Sequence, residues 1–153
     1  MEYGTINREL HIDARPEVVY EVISSADHLR EWWPDDAGLD PVVGGAGWVT
    51  FGDPTSPDAK SEVLTVVEAD PPRRFAFRWV YEGTSPSETN SLLVTFELSP
   101  DGDGTLLRFS ESGFRERGWE AAVLEEAYRD HSRGWDEFLP RLAAYAHQLV
   151  GRP

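Results

Sequence analysis

The chain has no cysteine, which excludes a disulfide framework, a thiolate metal site and a cysteine nucleophile, and leaves packing alone to hold the fold. Lysine is nearly missing as well. Lys60 stands with 13 arginines to make 14 basic residues against 28 acidic ones, a formal net charge of -14. That balance opposes non-specific contact with nucleic acid, whose phosphates need local positive potential, so no nucleic-acid partner is expected of this acidic protein. No apolar run approaches the roughly eighteen residues of a membrane span, and Met1 to Asp13 carries charge where a secretory leader needs an apolar segment. No membrane partner and a cytoplasmic location are therefore expected. His11, His28, His131 and His147 show no paired spacing on a helix face, and no carboxylate array resembles a calcium loop, so neither a metal nor a cofactor is expected.

What is present suffices for one core. With 153 residues, 40% hydrophobic and 12% aromatic, the length suits a single domain over residues 1–153. The last stretch, Trp119 to Val150, organises it. Leu124, Tyr128, His131, Trp135, Phe138, Leu142, Tyr145 and Leu149 recur in alternating steps of four and three, which makes one continuous apolar stripe on a long helix. Gly134 and Pro140 fall inside it, and a bend is expected there because Pro140 has no N–H for the carbonyl of Asp136.

Ahead of that helix the pattern is mostly strand. Ile6 to Ile12 alternates, with Ile6, Arg8, Leu10 and Ile12 on one face. Asp13 as a cap and Pro16 in a first turn introduce a short helix with Val18, Val19, Val22 and Ile23 at helical spacing; after a break at Ser24 to Asp27, Leu29, Trp32 and Trp33 form a second that Pro34 ends. Asp35 to Gly47 reads as a loop. Strands follow at Trp48 to Phe51, at Lys60 to Ala69 after a turn from Gly52 to Pro57, and at Phe75 to Val80 after Asp70-Pro71-Pro72. The loop Glu82 to Thr89 leads to a strand with Leu92, Val94, Phe96 and Leu98. Pro100 to Gly104 is then a hairpin turn before Thr105, Leu107, Phe109 and Glu111. About six sequential strands imply an antiparallel sheet.

One strand, two short helices, a run of antiparallel strands and one long amphipathic helix predict an α+β domain in which a curved sheet wraps on the C-terminal helix. The order of elements resembles the helix-grip, START-like superfamily, and within it the branch similar to the C-terminal domain of the activator of Hsp90 ATPase. The resemblance covers nearly the whole chain. It is carried by Ala14-Arg15-Pro16-Glu17-Val18-Val19, Trp32-Trp33-Pro34, Gly44-Gly45, the hairpin from Val67 to Phe75, and Gly134-Trp135 followed by Leu139 and Leu142. It implies a groove between helix and sheet that takes a largely apolar small molecule. The alternatives are a co-chaperone-like module with a partner of the chaperone type, or a small cyclase or hydrolase-type enzyme using the same pocket. No catalytic motif carries over residue by residue.

Trp32, Trp33, Trp48, Phe77, Trp79, Phe96, Phe109, His131 and Trp135 are the candidate ligand-binding residues, with ordinary core packing as the competing assignment for the aromatic ones. Trp32 or Trp33 is expected to gate the groove. His131 is the one titratable group on the apolar stripe, either a polar anchor or proton donor in the pocket, or a core histidine satisfied by a backbone carbonyl. Arg8 and Glu111 share strand faces with apolar residues and either pair with each other, present charge to a ligand, or sit at solvated strand ends. His131, Arg8 and Glu111 are the catalytic candidates. Asp130-His131-Ser132 is no triad, since helix neighbours point about 100° apart. Gly44-Gly45-Ala46-Gly47 precedes a strand rather than opening a helix, and is a turn or bulge, not a phosphate loop.

Overall fold

A computed structural model describes residues 3–53, 55–81 and 85–150. Met1, Glu2, Pro54, Glu82 to Thr84 and Gly151 to Pro153 lie outside the described residues, and with them parts of the expected loops at Gly52 to Pro57 and Glu82 to Thr89. The elements run β1 (Thr5–Ile12), α1 (Pro16–Ser24), α2 (Ala26–Trp32), β2 (Asp36–Leu39), β3 (Ala46–Phe51), β4 (Lys60–Asp70), β5 (Arg74–Trp79), β6 (Leu92–Asp101), β7 (Gly104–Ser112) and α3 (Ala121–Val150). Among the described residues the strands form one antiparallel sheet in the order β1-β7-β6-β5-β4-β3-β2. Strands β2 to β7 make a meander, and β1 closes the far edge beside β7. This is the α+β helix-grip arrangement, with seven strands where the residue pattern showed about six.

The additional strand is β2, inside the segment expected to be loop. Its Asp-Ala-Gly-Leu sequence has no alternation long enough to read, and it exists because it pairs with β3, Gly38 opposite Trp48. A Cβ at Gly38 would lie 2.6 Å from Trp48 Nε1, so only glycine lets the indole lie across this strand. The glycine run before β3 is the expected turn. Gly44 holds φ +85, its N–H donates to the carbonyl of Val66, and the Val66 N–H donates to the carbonyl of Gly45. Helix α1 is entered differently from the expectation. Arg15, not Asp13, is its N-cap residue, with Pro16 pre-set at the first helical position; Asp13 instead bonds His11.

Inner-face residues follow the period of two and are tied together by register. Ile6 lies opposite Glu111 and Arg8 opposite Phe109; Val94 faces Glu111 and Phe96 faces Phe109; Leu64 faces Trp79 and Val66 faces Phe77. A bulge between Val66 and Glu68 interrupts β4, and next to it Val67 is left exposed. Helix α3 continues for 30 residues through Pro140, whose missing N–H falls on its exposed side. Trp135, Leu139, Leu142 and Ala146 are fully buried, while Leu124, Tyr128, Phe138, Tyr145 and Leu149 pack at the margins of the core. The stripe therefore finds its cover in the sheet and in α1 and α2.

Candidate functional site

The centre of the interior is polar. Glu111, inward on β7 between Ile6 of β1 and Val94 of β6, has 0% exposure. Its Oε2 accepts the Trp79 Nε1–H at 2.7 Å. Its Oε1 accepts the Trp135 Nε1–H at 2.8 Å and meets His131 Nδ1 at 2.8 Å. Three N–H groups from β5 and α3 thus converge on one carboxylate, which satisfies a charge that would otherwise be costly to bury. A carboxylate accepts only, so Nδ1 carries the hydrogen, and the neutral ring keeps its lone pair on Nε2.

The rest of the imidazole is held by rings. Trp79 and Phe114 both meet it edge-on, with centroids 5.5 Å away. Burial pulls the His131 imidazolium down, but the hydrogen bond and charge of Glu111, helped by Asp130 and Glu62, more than offset this and hold its pKa above the ordinary histidine value. The sign of the linked stability follows. A raised folded-state value contributes stability in full below the unfolded value of about 6.5 and loses it as pH rises through the folded value. The stability difference between the protein and its His131→Gln variant, read from urea unfolding, is accordingly expected to be largest near pH 5 to 6 and to shrink towards pH 9. A difference that grows with pH would contradict the Glu111 contact.

Above this cluster, between α3 and the β3 to β5 side of the sheet, lies a cavity of about 140 Å³ lined by Trp33, Phe51, Trp79, Asp130, His131, Gly134, Trp135 and Phe138. Trp33 is its hub, within 5.2 Å of the Trp79 and Trp135 rings, 5.8 Å of Phe77 and 6.0 Å of Phe51. Glu62 is on β4 two residues before inward Leu64; burial pushes its carboxyl up, against the pull of His131 and Arg117. A larger depression of about 460 Å³ beside α1 and α2 includes Asp27 and His28, but Asp27 is ion-paired with Arg30 and His28 is bonded to Tyr145.

The candidates read from the residues divide accordingly. Trp33, Trp79, His131 and Trp135 meet at the cavity. Phe77 supports Trp33 and Trp79 from below, while Phe109 packs 4.5 Å from Trp135 and Phe96 packs 5.4 Å from Phe109, one layer deeper in the core. Trp32 is no gate: it is buried, donates Nε1–H to the Val22 carbonyl and stacks beneath Trp33. Trp48 is on the opposite face of the sheet and 42% exposed, because β3 pairs so that Val49, opposite Glu62, turns inward instead. Arg8 and Glu111 do not pair. Arg8 reaches out to Asp136 at 2.7 Å and to Ser132 Oγ, tying β1 to the outer flank of α3. His131 is satisfied by a carboxylate, not by a backbone carbonyl. The residue pattern missed Phe51 and Phe138 as lining residues, although Phe138 was on the helix stripe and Phe51 shares the face of Val49.

Among the described residues no three histidine, cysteine or carboxylate side chains are grouped to hold a metal ion, and no helix is long and apolar enough to cross a membrane. Residues 13–147 match the family described as activator of Hsp90 ATPase homolog 1-like protein. The chain belongs to that family. No curated protein matches this family member in sequence. Solved structures share its fold. Protein MLL2253 from Mesorhizobium loti superposes with a TM-score of 0.75 at 21% identity, over 94% of this chain and 97% of that one. The Aha1 dimer from Colwellia psychrerythraea gives 0.70 at 22%, over 94% and 96%. DynU16, a protein in the dynemicin biosynthetic locus, gives 0.71 at 21% over 98% of this chain, which spans 49% of that one.

Proposed function

We propose that this activator of Hsp90 ATPase homolog 1-like protein binds a small, largely apolar molecule in the cavity between α3 and the sheet. The observation that carries the reading is the combination of Trp33, Phe51, Trp79, Trp135 and Phe138 around one open space with a single ionisable ring, His131, in its wall. Such a lining takes an apolar body and orients it by one polar atom. Size narrows the ligand. Trp32, Phe96 and Phe109 are packed into the core rather than around an open groove, and about 140 Å³ suits one aromatic ring or the end of a longer molecule, since an apolar cavity of about 150 Å³ accepts benzene. The neighbour from a biosynthetic locus fits a ligand-binding role. The family description and the Colwellia protein support the second reading, a chaperone-type partner, which a pull-down with an Hsp90 tests separately.

Gly134 offers the sharper test. A Cβ built there meets only the Phe138 ring at 3.9 Å, an ordinary contact, so Gly134→Ala is expected to be tolerated and to stabilise the helix by about 0.5–1 kcal/mol. Gly134→Leu extends an isobutyl group from the same wall. Indole titrated calorimetrically into the protein is expected to bind with a negative heat-capacity change, to bind equally to the alanine variant, and to lose at least tenfold in affinity with the leucine variant. Equal affinity for all three proteins would move the site elsewhere.

A further inference from the structure

We infer that the cavity is also a proton-transfer site, in which His131 Nε2 acts as general base on an apolar, ring-bearing carbon acid and Glu111 is its positioning residue. This rests on the binding reading above and deepens it. The geometry has three parts. Nδ1 is committed to Glu111, which fixes the ring plane and the tautomer and so presents the basic lone pair at Nε2. Glu111 itself cannot turn away, because the Trp79 and Trp135 indoles hold both of its oxygens. Nε2 has no hydrogen-bond partner among the described residues, yet it is not sealed. Among the described residues the buried side-chain polar atom without a partner is the Tyr20 hydroxyl, not Nε2, and His131 is in the cavity wall.

One nitrogen is clamped by a buried carboxylate, and the other has no protein partner on a side chain that stands in the cavity wall and keeps 22% exposure. A space of about 140 Å³ suits a reaction that needs no second substrate, and a rearrangement by proton shuttling is such a reaction. In a β,γ-unsaturated carbonyl compound the α C–H bond breaks, the proton passes to Nε2, and the electron pair delocalises through the carbonyl and the C=C bond as a dienolate. The imidazolium, stabilised by Glu111, then returns the proton to the γ carbon, and the double bond ends between the α and β carbons. Nothing is oxidised or reduced. The charged groups facing the ring are Glu111 from β7, Asp130 from α3 and Glu62 from β4, with Arg117 acting on Glu62; the acidic ones favour the imidazolium that proton abstraction creates.

The probe is 5-nitrobenzisoxazole, a ring-sized carbon acid whose C3 proton is taken by a base while a nitrile forms and the N–O bond breaks to release a coloured phenolate. Saturable ring opening is expected, about 10²-fold faster than with free 4-methylimidazole at equal concentration, and His131→Gln is expected to remove that advantage. The wild-type rate should rise with pH along one ionisation above the ordinary imidazole range, which requires no variant and no assumption about folding. Glu111→Gln and Glu111→Asp should slow the reaction about tenfold and move the midpoint down for Gln, a displacement that loss of structure alone would not produce. Indole binding, measured in parallel by calorimetry, separates the two readings. Binding retained with a rate that ignores His131→Gln overturns proton transfer and leaves the binding site standing; loss of both indole binding and ring opening in the wild-type protein overturns both.

Discussion

Glu111→Ala is expected to lower the unfolding free energy by about 3–5 kcal/mol, the cost of removing one partner from a fully buried charged cluster. The reason is what remains. The indole N–H groups of Trp79 and Trp135, both in buried residues, lose their acceptor together, and His131 loses the carboxylate that raises its pKa. For a chain of this length the change corresponds to roughly 6–20 °C in Tm. Glu111→Gln should cost less than Ala, since the amide oxygen still accepts from one side while its NH₂ faces another donor. Pairing Glu111→Leu with His131→Leu should recover part of the loss by removing both ionisable groups, leaving only the indoles unsatisfied. Urea unfolding followed by tryptophan fluorescence decides it: a loss under about 1 kcal/mol for Glu111→Ala would show that the carboxylate does not hold these three donors.

Trp135→Ala is expected to cost about 3–5 kcal/mol for the opposite reason, lost packing rather than lost polarity. Trp135 is the buried residue of α3 that touches most of the interior rings, lying 4.5 Å from Phe109, 5.2 Å from Trp33 and 6.2 Å from Trp79. Trp135→Phe separates the two contributions. The smaller ring keeps most of the contact with Phe109 and Trp33 but cannot donate to Glu111, whose Oε1 still has His131. It should cost about 0.5–1.5 kcal/mol beyond the volume change. If Phe proved as costly as Ala, the hydrogen bond and not the packing would dominate. Indole affinity should fall with Ala, because the cavity loses its floor, and change little with Phe.

Much of this arrangement was legible in the residues. The steps of four and three from Leu124 to Leu149 are a property of the chain alone and specify the long helix and its buried side. Period-two alternation likewise marked β1, β4, β5, β6 and β7, and the hydrophobic pattern put Trp79, Glu111, His131 and Trp135 on faces that could meet. Three things were not legible. The strand β2 has too few residues to show a period and forms only against β3. In the short strand around Trp48 and Val49 an alternation has two faces and no sign, so nothing local says which one is inside; pairing with β4 turned Val49 and Phe51 in and left Trp48 outside. And Arg8 looked equivalent to Glu111 as an inward charge until the edge position of β1 gave its long side chain a way out to Asp136.

The sequence by itself determined every element but β2, the helix stripe, the thiol-free acidic character and the residue types available to a site. Only the tertiary structure decided that Glu111, 20 residues from His131, 24 from Trp135 and 32 from Trp79, is the point on which all three converge. The physical reason is that local periodicity fixes which face a side chain takes, whereas a hydrogen-bonded cluster and the cavity above it depend on strand order and register, which are settled by contacts between distant segments.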